Sequence, residues 1–349
     1  MHPLLRLKTF ASILLTLILV AILLPACAPA EIDCASEQAF CIGLVTNNQG
    51  KVDDRAFNQS TWEAVQQAGT EFGAEVHYIE TINVKDYGKN IAAFGEEHYD
   101  VIITVGSGTA APTLAAAKLY PNTDFIGVDQ FQEEALDGVA GLVFPEDQEG
   151  FLAGALAAML SESHQIGAAC ASDGIPAIWR LGAGYAAGAE YVDELFESTT
   201  IVFVIHNDSF TESFIDPEWG AETARAMMTQ GADVIFGCGG STGEGAIVAA
   251  AQEDLYVIGL DTDQYWTLPD AAPRMLTSVS KLVTPGVYEL IRLSHEKNFP
   301  SGNFFGQVGY APFHELDHEI PPAVKEQLQM IRSGLADGSI ETNVPSKKP

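Results

Sequence analysis

The sequence predicts an α/β protein built as two doubly wound lobes, each a parallel sheet covered by helices. Three observations carry this expectation. Strand and helix signals alternate along the chain in two successive blocks. Several strand runs, Val101–Val105 and Val234–Phe236 among them, are apolar throughout, as strands covered on both faces must be. The chain beyond residue 26 is also too long for one compact core and suits two lobes of about 150 residues each.

The N-terminus stands apart from that scheme. Arg6 and Lys8 form a short basic region, and the apolar run Phe10–Leu24 follows. The run falls short of the roughly 20 residues that a spanning helix needs. It closes on Leu24-Pro25-Ala26-Cys27, and small residues after a short apolar core read as a signal-peptide cleavage site. Residues 1–26 therefore read as a leader. Cys27 sits where the bacterial lipoprotein box places its modified residue, so the pattern resembles a lipobox and implies an acylated Cys27 and a tether over residues 27–39. An ordinary signal peptide with an incidental cysteine, or an uncleaved anchor, is the alternative.

In the first block, strands are expected at Phe40–Thr46, Glu75–Glu80, Val101–Val105, Phe125–Val128 and Val139–Phe144. Helices fall between them at Phe57–Phe72, closed by Gly73, at Tyr87–Glu97, and at Ala110–Leu119, stopped by Pro121. The second block repeats the order. Its strands are expected at Ile166–Ala171, Ile201–His206, Val234–Gly237 and Val257–Leu260, and its helices at Asp147–Ser161, Trp219–Gln230 and Glu244–Gln252. No low-complexity linker separates the blocks. The expected division is residues 40–144 with 261–297 in the first lobe and 145–260 with 298–345 in the second, with crossings near Phe144, Leu260 and Asn298.

Charge and cysteine usage narrow the function. The chain carries 17 Lys and Arg against 47 Asp and Glu, a net charge of −30, and loss of Arg6 and Lys8 would make it more acidic still. Such a surface repels phosphate backbones and anionic headgroups, which argues against a nucleic-acid partner. Membrane attachment would then fall to the lipid. Of the five cysteines, Cys34 and Cys41 are close enough to form a disulfide stapling the tether to the first strand, which an oxidising compartment permits. Cys170 and Cys238 lie in apolar strand runs and read as buried free thiols. Neither Cys-x-x-Cys nor a His-rich spacing points to a metal, and no cofactor is implied.

Ligands of such sheets gather beyond the C-terminal ends of the strands. The residues there are Thr46-Asn47-Asn48, Gly106-Ser107-Gly108, Asp129-Gln130, Cys238-Gly239-Gly240 and Asp261-Thr262-Asp263. They are small, polar or acidic and lack the lysine of a phosphate cradle. A neutral solute rich in hydroxyls fits them better than an anion.

The segment Gly43-Leu-Val-Thr-Asn-Asn-Gln-Gly-Lys-Val-Asp-Asp-Arg-Ala-Phe57-Asn-Gln-Ser-Thr-Trp62 resembles the opening of the basic membrane protein family of substrate-binding lipoproteins. Further similar segments follow in order at Phe125–Asp129, Phe144–Gly154, Phe214–Gly220, Gly231–Phe236, Ile258–Asp263 and Thr277–Lys281. The resemblance implies a type I periplasmic-binding fold with a cleft between two Rossmann-like lobes, an ABC importer's permease as partner, and a monomer on the outer face of the cell membrane. It implies a nucleoside ligand, a purine one, held between the rings of Phe57 and Phe214. Asp129, Gly240, Asp261 and Lys281 would take the ribose hydroxyls, and Asn47, Asn48 and Asn58 complete the implied set. The family has an aspartate directly after the first strand's Val-Thr, where this chain reads Asn47-Asn48. An acceptor-only carboxylate is thus replaced by an amide that both donates and accepts.

Each assignment has a plainer counterpart. An aromatic opening a helix, as Phe57 does, is more often a core anchor, and an acid ending a strand, as Asp129 and Asp261 do, often caps the next helix. Lys281 as a solvated charge is the default for a lysine. Two enzyme motifs also compete. Gly106-Ser-Gly108-Thr-Ala-Ala111, with Asp129 beyond it, approaches a dinucleotide fingerprint, but it follows the third strand of its block and Pro112 interrupts it. Gly239-Gly-Ser241-Thr-Gly243 has the form of a nucleophile elbow, with Asp261 or Asp263 and then His295 or His314 in hydrolase order. Its glycines also serve a backbone that must approach a ligand closely. The expected function is capture without chemistry; a receptor for another polar solute such as a sugar, or a serine hydrolase using Ser241, is the alternative.

Overall fold

Alternation of buried strands and covering helices gives two six-stranded sheets of the same design. The computed structural model describes residues 33–36, 38–47 and 50–349, so the leader, Cys27 and Asn48 lie outside the described residues. The first sheet contains β1 (Cys41–Val45), β2 (Glu75–Ile79), β3 (Val101–Val105), β4 (Asp124–Val128), β5 (Val139–Val143) and β11 (Gly302–Phe305) in the order β11-β5-β4-β3-β1-β2. The second contains β6 (Gln165–Cys170), β7 (Ile201–His206), β8 (Val234–Cys238), β9 (Tyr256–Leu260), β10 (Met275–Lys281) and β12 (Val308–Tyr310) in the order β12-β10-β9-β8-β6-β7. The two orders correspond strand for strand, so β4 and β9 are equivalent. All pairings are parallel except that of β12 with β10.

The first lobe carries helices α1 (Phe57–Phe72), α2 (Tyr87–Glu96) and α3 (Ala110–Leu119). The second carries α4 (Glu146–Leu160), α5 (Pro176–Phe196), α6 (Pro217–Thr229), α7 (Gly240–Gln252) and the short α8 (Gln264–Thr267). Helix α9 (Val283–His295) returns to the first lobe and packs on α1, while α10 (Pro322–Asp337) packs on α4. Strands β1, β3, β5 and β8 are buried at every position, which is the physical meaning of their continuous apolar runs. One apolar core runs from Ile42 and Leu44 of the first sheet through Phe144 and α4 into Phe236 and Ile258 of the second.

The chain crosses between lobes at Phe144–Pro145, at Leu282 and at Gly306–Gln307. Two of these correct the expected division. The crossing placed near Leu260 comes only after Lys281, because β10 pairs in parallel with β9, Val279 opposite Leu260. The crossing placed near Asn298 comes after β11, which pairs with β5 of the first lobe, Phe304 opposite Leu142. A strand's sheet is chosen by its pairing partner, and short strands of mixed polarity do not disclose that partner.

Cys34 and Cys41 are joined in a disulfide with Cα atoms 5.8 Å apart. Cys170 and Cys238, expected as free thiols, are also joined. They stand directly opposite one another on the adjacent strands β6 and β8, with Cα atoms 4.4 Å apart, at the lower edge of the range a disulfide spans.

A candidate solute site between the lobes

The site is assembled from strand ends of both sheets. Asp129 follows β4 and Asp261 follows β9, and both adopt left-handed backbone, with φ of 59° and 66°. Aspartate tolerates that region better than most residues, so the chain leaves two equivalent strands in the same way. Lys281 is the last residue of β10. Its Nζ donates to Asp129 Oδ1 at 2.9 Å, an ion pair that joins the second lobe to the first. The lysine side chain is 10% exposed and that of Asp129 32%. The ammonium also lies 5.6 Å from the centroid of the Phe57 ring and 5.9 Å from that of Phe144. Lys281 is therefore the pivot of a desolvated cluster and not a solvated surface charge.

Phe57 reaches that cluster because of how α1 begins. Asp54 Oδ1 accepts the backbone N–H groups of Ala56 at 2.8 Å and Gln59 at 3.1 Å, satisfying donors that a helix start leaves open. Asn58 is buried and fully engaged: its Oδ1 accepts from the Asn47 N–H at 3.1 Å, and its Nδ2 donates to Asn47 Oδ1 at 3.0 Å and to the Lys51 carbonyl at 3.1 Å. Asn58 thus holds the loop after β1 against α1, and these bonds occupy the groups it would offer a solute.

On the other lobe, Phe214 precedes α6 and is 38% exposed. Its carbonyl accepts from Ser241 Oγ at 3.1 Å and from the Thr242 N–H at 3.3 Å, which ties the Phe214 loop to the start of α7. Gly240 is required at that junction. Its φ is 58°, and a Cβ there would lie 2.6 Å from the Phe214 carbonyl oxygen.

A cavity of about 510 Å³ opens between the lobes, lined by Arg55 and Gln59 from one side and by Asp261, Trp266 and Lys281 from the other. A second, of about 570 Å³, lies at the first lobe's strand ends among Asn47, Tyr87, Gly106 and Ser107. Either volume suits a small solute.

The electrostatics are dominated by one ammonium among several acids. Burial works against the charge of Lys281, but Asp129, Asp261 and Glu149 together outweigh it and hold its pKa well above the ordinary lysine value. Burial raises Asp261, with Lys281 opposing and Asp129 adding to the rise. Glu149 of α4 is 1% exposed, and burial pushes it well above the ordinary glutamate value; Lys281 opposes this, while Asp261, Glu146 and Asp129 add to it. Sequence reasoning passed over Glu149. It falls in the quoted Phe144–Gly154 segment, but with Glu146 and Asp147 it looks like the usual acidic first turn of a helix.

Such a cluster can bind hydroxyls: the carboxylates accept and the ammonium donates. The hydrolase constellation is not assembled. Ser241 Oγ is bonded to the Phe214 carbonyl, His314 Nε2 lies 2.8 Å from Asp263 Oδ2, and His295 stacks on Phe72.

Residues 42–306 match the model of the Bmp family, described as ABC transporter substrate-binding proteins, PnrA-like. The chain belongs to this family. As a Bmp-family protein it is a solute binder and not an enzyme, which removes the hydrolase reading, and its partners are a small-molecule substrate and the permease of an ABC transporter. The ABC transporter nucleoside-binding protein BmpA of Lactococcus lactis is 31% identical over 87% of this chain and 88% of its own length. The CD4+ T-cell-stimulating antigen of Listeria monocytogenes is 27% identical over 97% of this chain and 99% of its own. In fold, a solute-binding protein of an ABC transporter system from Conexibacter woesei superposes with a TM-score of 0.71 at 19% identity, covering 89% of this chain and all of that one. Among the described residues, no helix is long and apolar enough to cross a membrane.

Proposed function

We propose that this Bmp-family protein captures a nucleoside, a purine nucleoside by preference, as a lipid-anchored monomer outside the cell membrane. The observation that carries the reading is the Asp129–Lys281–Asp261 cluster, set at equivalent strand ends of two lobes that also contribute one aromatic ring each. Carboxylates and an ammonium suit the vicinal hydroxyls of a ribose, and rings on opposite lobes suit a flat base, because stacking is completed only as the lobes meet. The nucleoside-binding name of the Lactococcus lactis relative points the same way.

Calorimetry against a panel of nucleosides, free bases and sugars tests this. Phe214→Ala is expected to weaken nucleosides by about 1–3 kcal/mol, the usual worth of a base–aromatic stack, or roughly ten- to a hundredfold. Its melting temperature should move little, since the ring is 38% exposed. Phe57→Ala should lose similar affinity and also some stability, because Phe57 packs against the main core. Asp261→Asn should weaken nucleosides and spare free bases. A protein that binds sugars and no base, or Phe→Ala variants as tight as the parent, would overturn the stacked-base model.

The anchor is tested separately. Cys27, outside the described residues, is expected to be the acylated N-terminal residue of protein expressed in membranes. Mass spectrometry that finds a different N-terminus, or an unmodified Cys27, refutes it.

A further inference from the structure

Glu149 is buried in the first turns of α4, and its Oε1 has no hydrogen-bond partner among the described residues. It sits on α4, the first element after the chain enters the second lobe. Lys281 lies in the same lobe, at the end of β10, whereas the carboxylate that holds it belongs to the first. Any separation of the lobes must therefore strip Lys281 of Asp129 while leaving Glu149 and Asp261 beside it. We propose that Glu149 is a positioning residue for capture: it takes over Lys281 when Asp129 withdraws, and closure of the lobes around solute is accompanied by uptake of one proton.

The charges acting on Glu149 are Lys281 from β10, Asp261 from the turn after β9, Asp129 from the turn after β4 and Glu146 from its own helix. Of the other charges around α4, Asp147 and Arg180 are paired with each other. Asp147 accepts from Arg180 of α5 and from Thr342 Oγ1, and Arg180 also lies 3.7 Å from Glu146. Tyr185 of α5 is buried, and burial holds its phenol well above the ordinary value, so it stays neutral. Arg332 of α10, a helix that packs on α4, acts on Tyr310 of β12, and its Nε has no hydrogen-bond partner among the described residues. One ammonium thus faces more carboxylates than it can neutralise, and the most deeply buried of them holds a proton while Asp129 occupies Lys281.

Proton and charge balance in both states. With the lobes together, Lys281 pairs with Asp129 and Glu149 is a neutral acid. With the lobes apart, Asp129 is solvated, and Glu149 releases its proton to water and becomes the second counter-ion of Lys281. The pKa of Glu149 is higher in the closed state than in the open one. Closure therefore takes up a proton at pH values between the two, a window whose upper end lies well above the ordinary glutamate range. Affinity in that window rises as pH falls, by up to tenfold per pH unit for one proton. Full engagement of Lys281 in the open state also keeps the ammonium in place for the next solute.

The test has two arms, and only the second rests on the nucleoside reading. In the first, infrared spectra of the solute-free mature protein at neutral pH should lack a protonated-carboxyl band from Glu149, because Lys281 keeps that group ionised in the open state, so the parent and Glu149→Gln should agree in that region. The band should appear in Lys281→Met, where the buried Glu149 has no cation to pair with, and be missing again when Glu149→Gln is added to that variant. A solute-free parent with a band that Glu149→Gln removes, or a Lys281→Met protein without the band, overturns the proposal. If Glu149→Gln does not fold, the comparison of the parent with Lys281→Met decides alone. In the second arm, calorimetry with adenosine in two buffers of different ionisation enthalpy should show uptake of up to one proton by the parent and none by Glu149→Gln. Equal proton uptake in both overturns the proposal as well. If no nucleoside binds, the nucleoside reading fails while the infrared arm still decides the role of Glu149.

Discussion

Lys281→Met is expected to lower the stability of the folded protein by about 3 kcal/mol and to abolish high-affinity solute binding. Methionine has a similar length and can pack against the rings of Phe57 and Phe144 that lie about 6 Å from the ammonium, so no large void explains the loss. What is lost is the cation. Removing one partner of a buried ion pair costs about 3–5 kcal/mol, because the other is left desolvated without compensation. The lower end of that range applies here for two reasons. Asp129 is 32% exposed at its side chain and can regain water, and Glu149, raised well above its ordinary value by burial, can remain neutral. Asp129→Asn should cost less than Lys281→Met, since it leaves Lys281 with Asp261 and Glu149. Urea denaturation of the parent and both variants measures the difference. Equal costs, or a Lys281→Met variant as stable as the parent, would show that the ammonium is not the pivot of the site.

Gly154→Ala is expected to destabilise by roughly 3 kcal/mol, at the upper end of what overpacking costs. Helices α4 and α5 cross with Gly150 and Gly154 on one and Gly184 and Gly188 on the other, and each glycine meets the backbone of the opposite helix. A Cβ on Gly154 would fall onto the Tyr185 carbonyl, with the carbonyl carbon 2.7 Å away, and one on Gly188 would lie 2.8 Å from the Phe151 carbonyl carbon. Backbone cannot step aside as the end of a long side chain can, so the two helices must separate. Because α4 carries Glu146 and Glu149, the same shift should weaken solute binding. Gly88→Ala is the control. Gly88 lies in the exposed first turn of α2, where an added methyl group would meet nothing within 4 Å, and the change should stabilise by about 0.5–1 kcal/mol through helix propensity. Thermal denaturation of the two variants should move in opposite directions; a Gly154→Ala protein that melts with the parent would mean that the helices tolerate a wider crossing.

The same glycines explain why α5 is absent from the sequence reading although it spans 21 residues. Glycine weakens a helical signal, and here its use is tertiary, to let two backbones approach. Helices α9 and α10 were likewise unread. By contrast, α1 was legible to its last residue, because Gly73 closes it in left-handed conformation with φ of 66°. The buried strands were legible as apolar runs, and the equivalence of Asp129 and Asp261 followed from the repetition of the two blocks.

For the site, sequence alone determined which residue types stand at the strand ends, that the chain alternates strand and helix twice, and that its segments resemble one family of solute receptors. These are local properties, expressed in a few consecutive residues. Tertiary structure alone decided that β10 belongs to the second sheet, that Lys281 reaches across to Asp129, that Cys170 faces Cys238, and that Asn58 holds a loop. It also decided that Glu149, in what reads as an ordinary acidic helix start, is buried beside Lys281. Each of these depends on groups brought together from distant parts of the chain, Lys281 and Asp129 being separated by 152 residues. Charge, burial and pairing partner are properties of that proximity, and no window of consecutive residues contains them.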